Sequence, residues 1–225
     1  MRRRIAKWAV FLVLLAAMLS GCSSSGSHAE AGRLPKVLII GDSISIGYFE
    51  TTKKLLEGKA EVCHNPGNAQ DTRYGLQQLD AWLGDTHWDV IHFNFGLHDL
   101  KYVDAKGELV APKSGTQLVP PDEYGHNLEL LVARLKKTHA KLIFATTTAV
   151  PAGAMGRIKG DAEVYNRVAV PIMKKNHVRV DDLYAITLPR LDFLQQPDNV
   201  HFTPEGYRVM AKEAADSIRA ALKRK

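Results

Sequence analysis

The chain has 225 residues, 45 % of them hydrophobic and 24 % charged. That composition excludes a disordered or collagen-like chain and allows one buried core, or at most two small ones. Two cysteines are too few for a disulfide-scaffolded miniprotein. The formal charge of +6, from 30 Lys plus Arg against 24 Asp plus Glu, points toward nucleic acid or an anionic membrane unless the basic residues are confined to one segment.

Much of that excess sits at the start. Arg2, Arg3, Arg4 and Lys7 form a basic head before an apolar run from Trp8 to Met18. At about 1.5 Å per residue this run covers only about half of a bilayer core, which fits a signal h-region better than a membrane span. It leads into Leu19-Ser20-Gly21-Cys22, which resembles the bacterial lipobox, where the cysteine is lipidated and the chain is cut before it. The expected organisation is a signal peptide over 1–21, a lipidated Cys22 with a flexible tether over 22–33, and one folded domain over 34–225. Cleavage leaves 26 basic against 24 acidic residues, so the argument for nucleic acid lapses and the membrane link rests on a lipid. Ser23 after the cysteine, rather than aspartate, favours the outer membrane of a two-membrane bacterial envelope.

Short apolar runs predict strands at 36–40, 60–64, 88–95, 141–147 and 178–181, each buried on both faces. Cys63, inside the second run, is expected to be a buried apolar thiol. The first run ends in Gly41-Asp42-Ser43-Ile44-Ser45, where a helix should begin. Leu76, Leu79 and Leu83 predict a helix with Thr72 as N-cap and Gly84 as terminator. Tyr124, Leu128, Leu131 and Leu135 predict another. The last helix opens with Thr203 as N-cap and Pro204, and presents Tyr207, Met210, Ala211, Ala214 and Ile218 to the core. This alternation predicts a three-layer α/β/α domain around a five-stranded parallel sheet, with any ligand beyond the carboxyl ends of the strands.

Three loops at those ends carry chemistry. Ser43 would lie at a helix N-terminus, where backbone N–H groups favour a developing anion, although Ser43 or Ser45 could equally cap the helix. Asp198-Asn199-Val200-His201 puts a carboxylate three residues before an imidazole, so Asp198 could fix the tautomer of His201 and His201 could take a proton from Ser43. Gly96-Leu97-His98-Asp99 follows the third strand.

Gly41-Asp42-Ser43, the loop ending Gly96-Leu97-His98-Asp99 and Asp198-x-x-His201 together resemble the SGNH branch of the GDSL lipase/esterase superfamily, from Val37 to the last helix. The resemblance implies a flavodoxin-like sheet and ester hydrolysis by a serine nucleophile, without metal or cofactor. It assigns Ser43, His201 and Asp198 to the catalytic triad, with oxyanion donors from the Ser43 N–H and two further groups. The family's asparagine in the third block is replaced here by His98, whose neutral imidazole can also donate one N–H. The family's glycine in the second block falls on Gln70 within Asn65-Pro66-Gly67-Asn68-Ala69-Gln70, with Gly67 as the alternative donor.

His92, His98, Asp99 and His201 are the candidates for metal ligands, but His92 lies inside a strand and reads as a packed core histidine. The segment 101–120 is long enough to cover or shape a site and lacks the apolar stretch of a lipase lid. Tyr48, Phe49 and Tyr74 fit either sugar-stacking faces or core positions. The expected activity is hydrolysis of small acyl esters, acetyl on a carbohydrate first among them. A lysophospholipase or thioesterase is the alternative enzyme, and an inactive carbohydrate-binding envelope module the alternative outside catalysis.

Overall fold

The computed structural model describes residues 32–223, so the basic head, the apolar run and Cys22 lie outside the described residues. In chain order the strands are β1 (Lys36–Ile40), β2 (Glu61–His64), β3 (Val90–Phe93), β4 (Tyr102–Val103), β5 (Thr116–Gln117), β6 (Lys141–Ala145) and β7 (Arg179–Asp181). The helices are α1 (Ser43–Leu55), α2 (Thr72–Leu83), α3 (Pro121–Lys136), α4 (Asp161–Lys175), α5 (Leu183–Thr187), α6 (Leu191–Leu194) and α7 (Pro204–Lys223).

The apolar runs become a five-stranded, all-parallel sheet ordered β2-β1-β3-β6-β7, the flavodoxin-like order. Val37 pairs with Val62 on one side and Val90 on the other, and Phe93 pairs with Phe144. α1 and α7 pack on each other over one face, and α3 packs between α2 and α4 over the other. Each strand is thus covered on both sides, which is why these segments are continuously apolar rather than alternating. Tyr48, Tyr124 and Tyr165 are fully buried with Phe93 and Phe144. Tyr48 is therefore core, while Phe49 and Tyr74 are partly buried and pack against it. Cys63 is half-buried in β2 rather than fully buried.

Four local features differ from expectation. The N-cap of α2 is Asp71, whose carboxylate accepts from Arg73 N at 3.0 Å and Tyr74 N at 3.2 Å; Thr72 is the first helical residue. A carboxylate there also suits the positive end of the helix. α4 went unpredicted because Pro171 and scattered polar residues break its apolar stripe. The 101–120 segment contains an antiparallel hairpin, β4 with β5, pinned by Leu118 N to Lys101 O at 2.8 Å and Val119 N to Asp99 O at 2.9 Å. Tyr207 is half-buried, its ring packed closely against Gly47 of α1.

Two buried polar ties hold the strand ends in place. His92 in β3 reaches Asp181 in β7 at 2.8 Å, with both side chains fully buried, as a core histidine should be. Asp99, also fully buried, accepts from Thr72 N at 2.9 Å and from the Thr72 hydroxyl at 2.6 Å, which fastens the loop after β3 to the start of α2.

Burial pushes Asp99 up to about 7 and Asp42 up to about 6. The native state therefore keeps protons that the unfolded chain releases from about pH 4 upward, so this part of the stability is present at acid pH and lost as pH rises to about 7. Asp99→Asn retains the acceptor oxygen and is expected to flatten part of that slope. Asp99→Ala strands two donors and is expected to cost about 2 kcal/mol. Urea unfolding at pH 5 and pH 7.5 checks both; a slope unchanged in Asp99→Asn would contradict the assignment.

Candidate active site

β1 ends where the backbone must turn sharply into α1. Gly41 N donates to Asn65 Oδ1 at 2.9 Å, and Gly41 O accepts from Ala69 N at 3.0 Å, so the loop after β2 clasps the turn. Asp42 is the N-cap of α1: its carboxylate accepts from Ile44 N at 2.9 Å. Ser45, buried on the inner side, contacts Asp42 O through its hydroxyl at 2.8 Å. With Asp42 capping the helix, the Ser43 hydroxyl is not drawn into a backbone bond. Its Oγ lies 2.9 Å from His201 Nε2, across 158 residues of chain.

The other ring nitrogen, His201 Nδ1, lies 2.8 Å from Asn199 Oδ1, and His201 N donates to the same oxygen at 3.0 Å. The backbone donor fixes which end of the amide is oxygen, and that oxygen only accepts, so Nδ1 carries the proton. Nε2 is then the acceptor for the Ser43 hydroxyl, as a general base needs. Asp198 does not make the expected contact. It is exposed, adopts a left-handed φ of 52°, and its carboxylate lies against Gly153 in the loop after β6. A Cβ at Gly153 would fall 2.4 Å from Asp198 Oδ1, so the absent side chain makes room for this placement. The side chain in contact with His201 Nδ1 is that of Asn199, which sequence reasoning passed over. An asparagine two residues before the histidine, able to form an Asx turn onto its N–H, was the available signal.

The expected oxyanion donors are placed unevenly. Among the described residues, no protein acceptor takes the Ser43 N–H. Gln70 has a left-handed φ of 53°, the backbone a glycine adopts freely, which agrees with the family's glycine register. Its N–H, however, donates to Asn68 Oδ1 at 2.8 Å, so it reaches an oxyanion only by giving up that bond. Gly67 is exposed in the same loop. His98 is half-buried beside the site, with a buried Nδ1 that has no partner. Burial, aided by the nearby charges of Lys101, Arg157 and His201, pushes it down to about 3, so it is a neutral imidazole at any working pH. The loop that carries it turns at Gly96, where φ is 137° and a Cβ would lie 2.1 Å from the Thr147 hydroxyl.

A second serine–histidine contact lies just behind, Ser45 Oγ to His64 Nε2 at 2.7 Å. Ser45 is 1 % exposed, whereas Ser43 is only half-buried, so Ser43 is the more accessible of the two serines. Among the described residues, no three His, Cys, Asp or Glu side chains are grouped as a metal site. A separate cleft lined by Lys136, Lys141, His177 and Arg179 lies at the amino ends of β6 and β7, away from this chemistry.

The folded domain is similar to several solved structures. A lipase/acylhydrolase from Enterococcus faecalis aligns with a TM-score of 0.68 at 20 % identity, over 83 % of this chain and 96 % of that one. The acetyl xylan esterase AlAXEase aligns with a TM-score of 0.65 at 19 % identity, over 81 % of this chain and 99 % of that one. Axe2, an acetylxylan esterase from Geobacillus stearothermophilus, aligns with a TM-score of 0.66 at 18 % identity, over 85 % and 95 %. At such identities the likeness establishes the fold. No curated protein sequence matches the chain. The model of the GDSL-like lipase/acylhydrolase family matches residues 39–209, a span that runs from the end of β1 through Ser43 and His201 into α7, and the chain belongs to that family.

Proposed function

We propose that this hydrolase is a serine esterase that removes small acyl groups, acetyl foremost, from a carbohydrate at the bacterial cell envelope. The observation that carries the chemistry is the Ser43–His201–Asn199 chain of contacts, 2.9 Å and 2.8 Å, at the carboxyl end of the sheet. Ser43 Oγ attacks the ester carbonyl while His201 Nε2 takes its proton. The imidazolium then returns that proton to the leaving alcohol, and water repeats the sequence on the acyl-enzyme. Asn199 Oδ1 holds the ring through Nδ1–H. An amide orients the imidazolium but does not neutralise it, as a carboxylate would.

The tetrahedral oxyanion is met by the Ser43 N–H at the positive start of α1 and by an N–H of neutral His98, with the loop of Gln70 as the third wall. The acetyl preference is supported by two structural relatives described as acetyl xylan esterases. It is supported also by the 101–120 hairpin, which offers polar rather than lid-like apolar cover. The lipobox-like Cys22 supports a lipid anchor, with the outer membrane favoured by Ser23.

Hydrolysis of p-nitrophenyl acetate is expected to fall at least about a thousandfold in Ser43→Ala, with the fold retained. Equal rates in variant and parent would overturn the esterase reading and favour a binding module. Asn199→Ala is expected to lower kcat about tenfold or more, whereas Asp198→Ala changes it by less than about threefold. The reverse order would return the orienting role to Asp198. His98→Ala is expected to cost about a hundredfold in kcat, and His98→Asn less, because the amide restores a donor. Since His98 is already neutral above about pH 3, His98→Asn should leave the shape of the pH–rate profile between pH 5 and 9 unchanged. A shifted limb in that range would show that His98 titrates.

A further inference from the structure

Two cations lie close to His98, and among the described residues neither has a carboxylate within ion-pairing distance. Arg157, half-buried in the loop after β6, donates through Nε to Leu97 O at 3.2 Å and through Nη1 to Met155 O at 3.3 Å. Leu97 precedes His98, so the guanidinium is fixed against the loop that carries the oxyanion donor. Its Nη2 edge has no acceptor among the described residues. Lys101 follows three residues after His98 in the same loop, near enough to Arg157 for the two charges to act on each other. Its backbone is held by His98 O at 3.4 Å and by Leu118 N at 2.8 Å, and its ammonium makes no ion pair among the described residues. The β4 strand that follows Lys101 is joined to the Arg157 loop by Tyr102 N to Gly156 O at 2.8 Å, so the two cations sit on adjoining, mutually braced segments.

The nearby carboxylates are already engaged. Asp42 caps α1, Asp71 caps α2, and Asp99 holds Thr72; none comes within ion-pairing distance of either cation. Burial draws both Lys101 and Arg157 below their usual range, and the more distant charges of Asp71 and Asp99 on Lys101 and of Asp42 on Arg157 offset this only in part. A rigidly held arginine with one edge open, next to a lysine, is an arrangement suited to a planar carboxylate.

We propose that Arg157 and Lys101 form an anion subsite beside the scissile ester, and that the alcohol deacylated by this enzyme is an acidic carbohydrate bearing a carboxylate near the acylated hydroxyl. This rests on the esterase reading for the reaction, but the subsite itself is testable by binding. In the full-length Ser43→Ala protein, methyl glucuronoside is expected to bind about tenfold tighter than methyl glucoside, which lacks only the carboxylate. Adding Arg157→Gln or Lys101→Gln should bring the two affinities to within about twofold, and 0.5 M sodium chloride should narrow them likewise. Equal affinities in the Ser43→Ala protein, or a preference unchanged by both substitutions, would overturn the subsite. In the Ser43 protein, the acetyl esters of the same two glycosides should differ in kcat/KM by a similar factor, mainly through KM. Turnover of p-nitrophenyl acetate that depends on Ser43 without a carboxylate preference would overturn the subsite alone. A carboxylate preference in binding without Ser43-dependent turnover would uphold the subsite and overturn the esterase reading.

Discussion

The carboxylate of Asp42 accepts the N–H of Ile44, one of the donors that the start of every helix leaves unpaired. That bond lets α1 begin immediately after β1 without using the hydroxyl of Ser43. It also holds the first turn of the helix at the carboxyl edge of the sheet, where Ser43 meets His201 from the other end of the chain. Asp42 is fully buried, so its placement has a desolvation cost. The clasp of the neighbouring loop, through Asn65 on Gly41, keeps the turn closed around it. Without that cap, Ser43 is the nearest replacement, and capping would engage the hydroxyl that meets His201.

The same economy recurs around the crevice. Asp99 fixes the loop of His98 to α2, Gly96 lets that loop pass close to Thr147, and Arg157 fastens it from the side of β6. In two of these ties a side chain satisfies a backbone group, Asp99 accepting the Thr72 N–H at the start of α2 and Arg157 donating to Leu97 O. The groups proposed for catalysis are consequently carried on loops whose positions are set by buried polar bonds to the sheet. Within that arrangement, the histidine at position 98 is kept neutral by burial and by three neighbouring positive or protonatable groups, so it can serve only as a hydrogen-bond group, not as a second base.

Most of the fold was legible because parallel strands covered on both faces read as plain apolar runs. Lys36–Ile40 was placed to the residue, and the longer runs ran past the true ends by one or a few positions. α4 was hidden by Pro171, whose tolerance inside a helix depends on tertiary packing that no local pattern shows. Ser43 and His201 were legible as motif residues at strand ends. The identity of the group on Nδ1 was not, because spacing places both Asp198 and Asn199 within reach of the imidazole. The left-handed backbone at Asp198, and the space that Gly153 leaves for its carboxylate, decide between them. Likewise the register of Gln70 was legible, whereas the side chain of Asn68 occupying its N–H was not.

Two serines of the same turn each contact a histidine, at 2.9 Å for Ser43 and 2.7 Å for Ser45, and the account assigns reactivity to the first alone. Labelling the protein with a fluorophosphonate and locating the adduct by peptide mass spectrometry tests this directly. A single adduct on Ser43, lost in His201→Ala, is the predicted result. An adduct on Ser45, or labelling of Ser43 that does not depend on His201, would contradict the account.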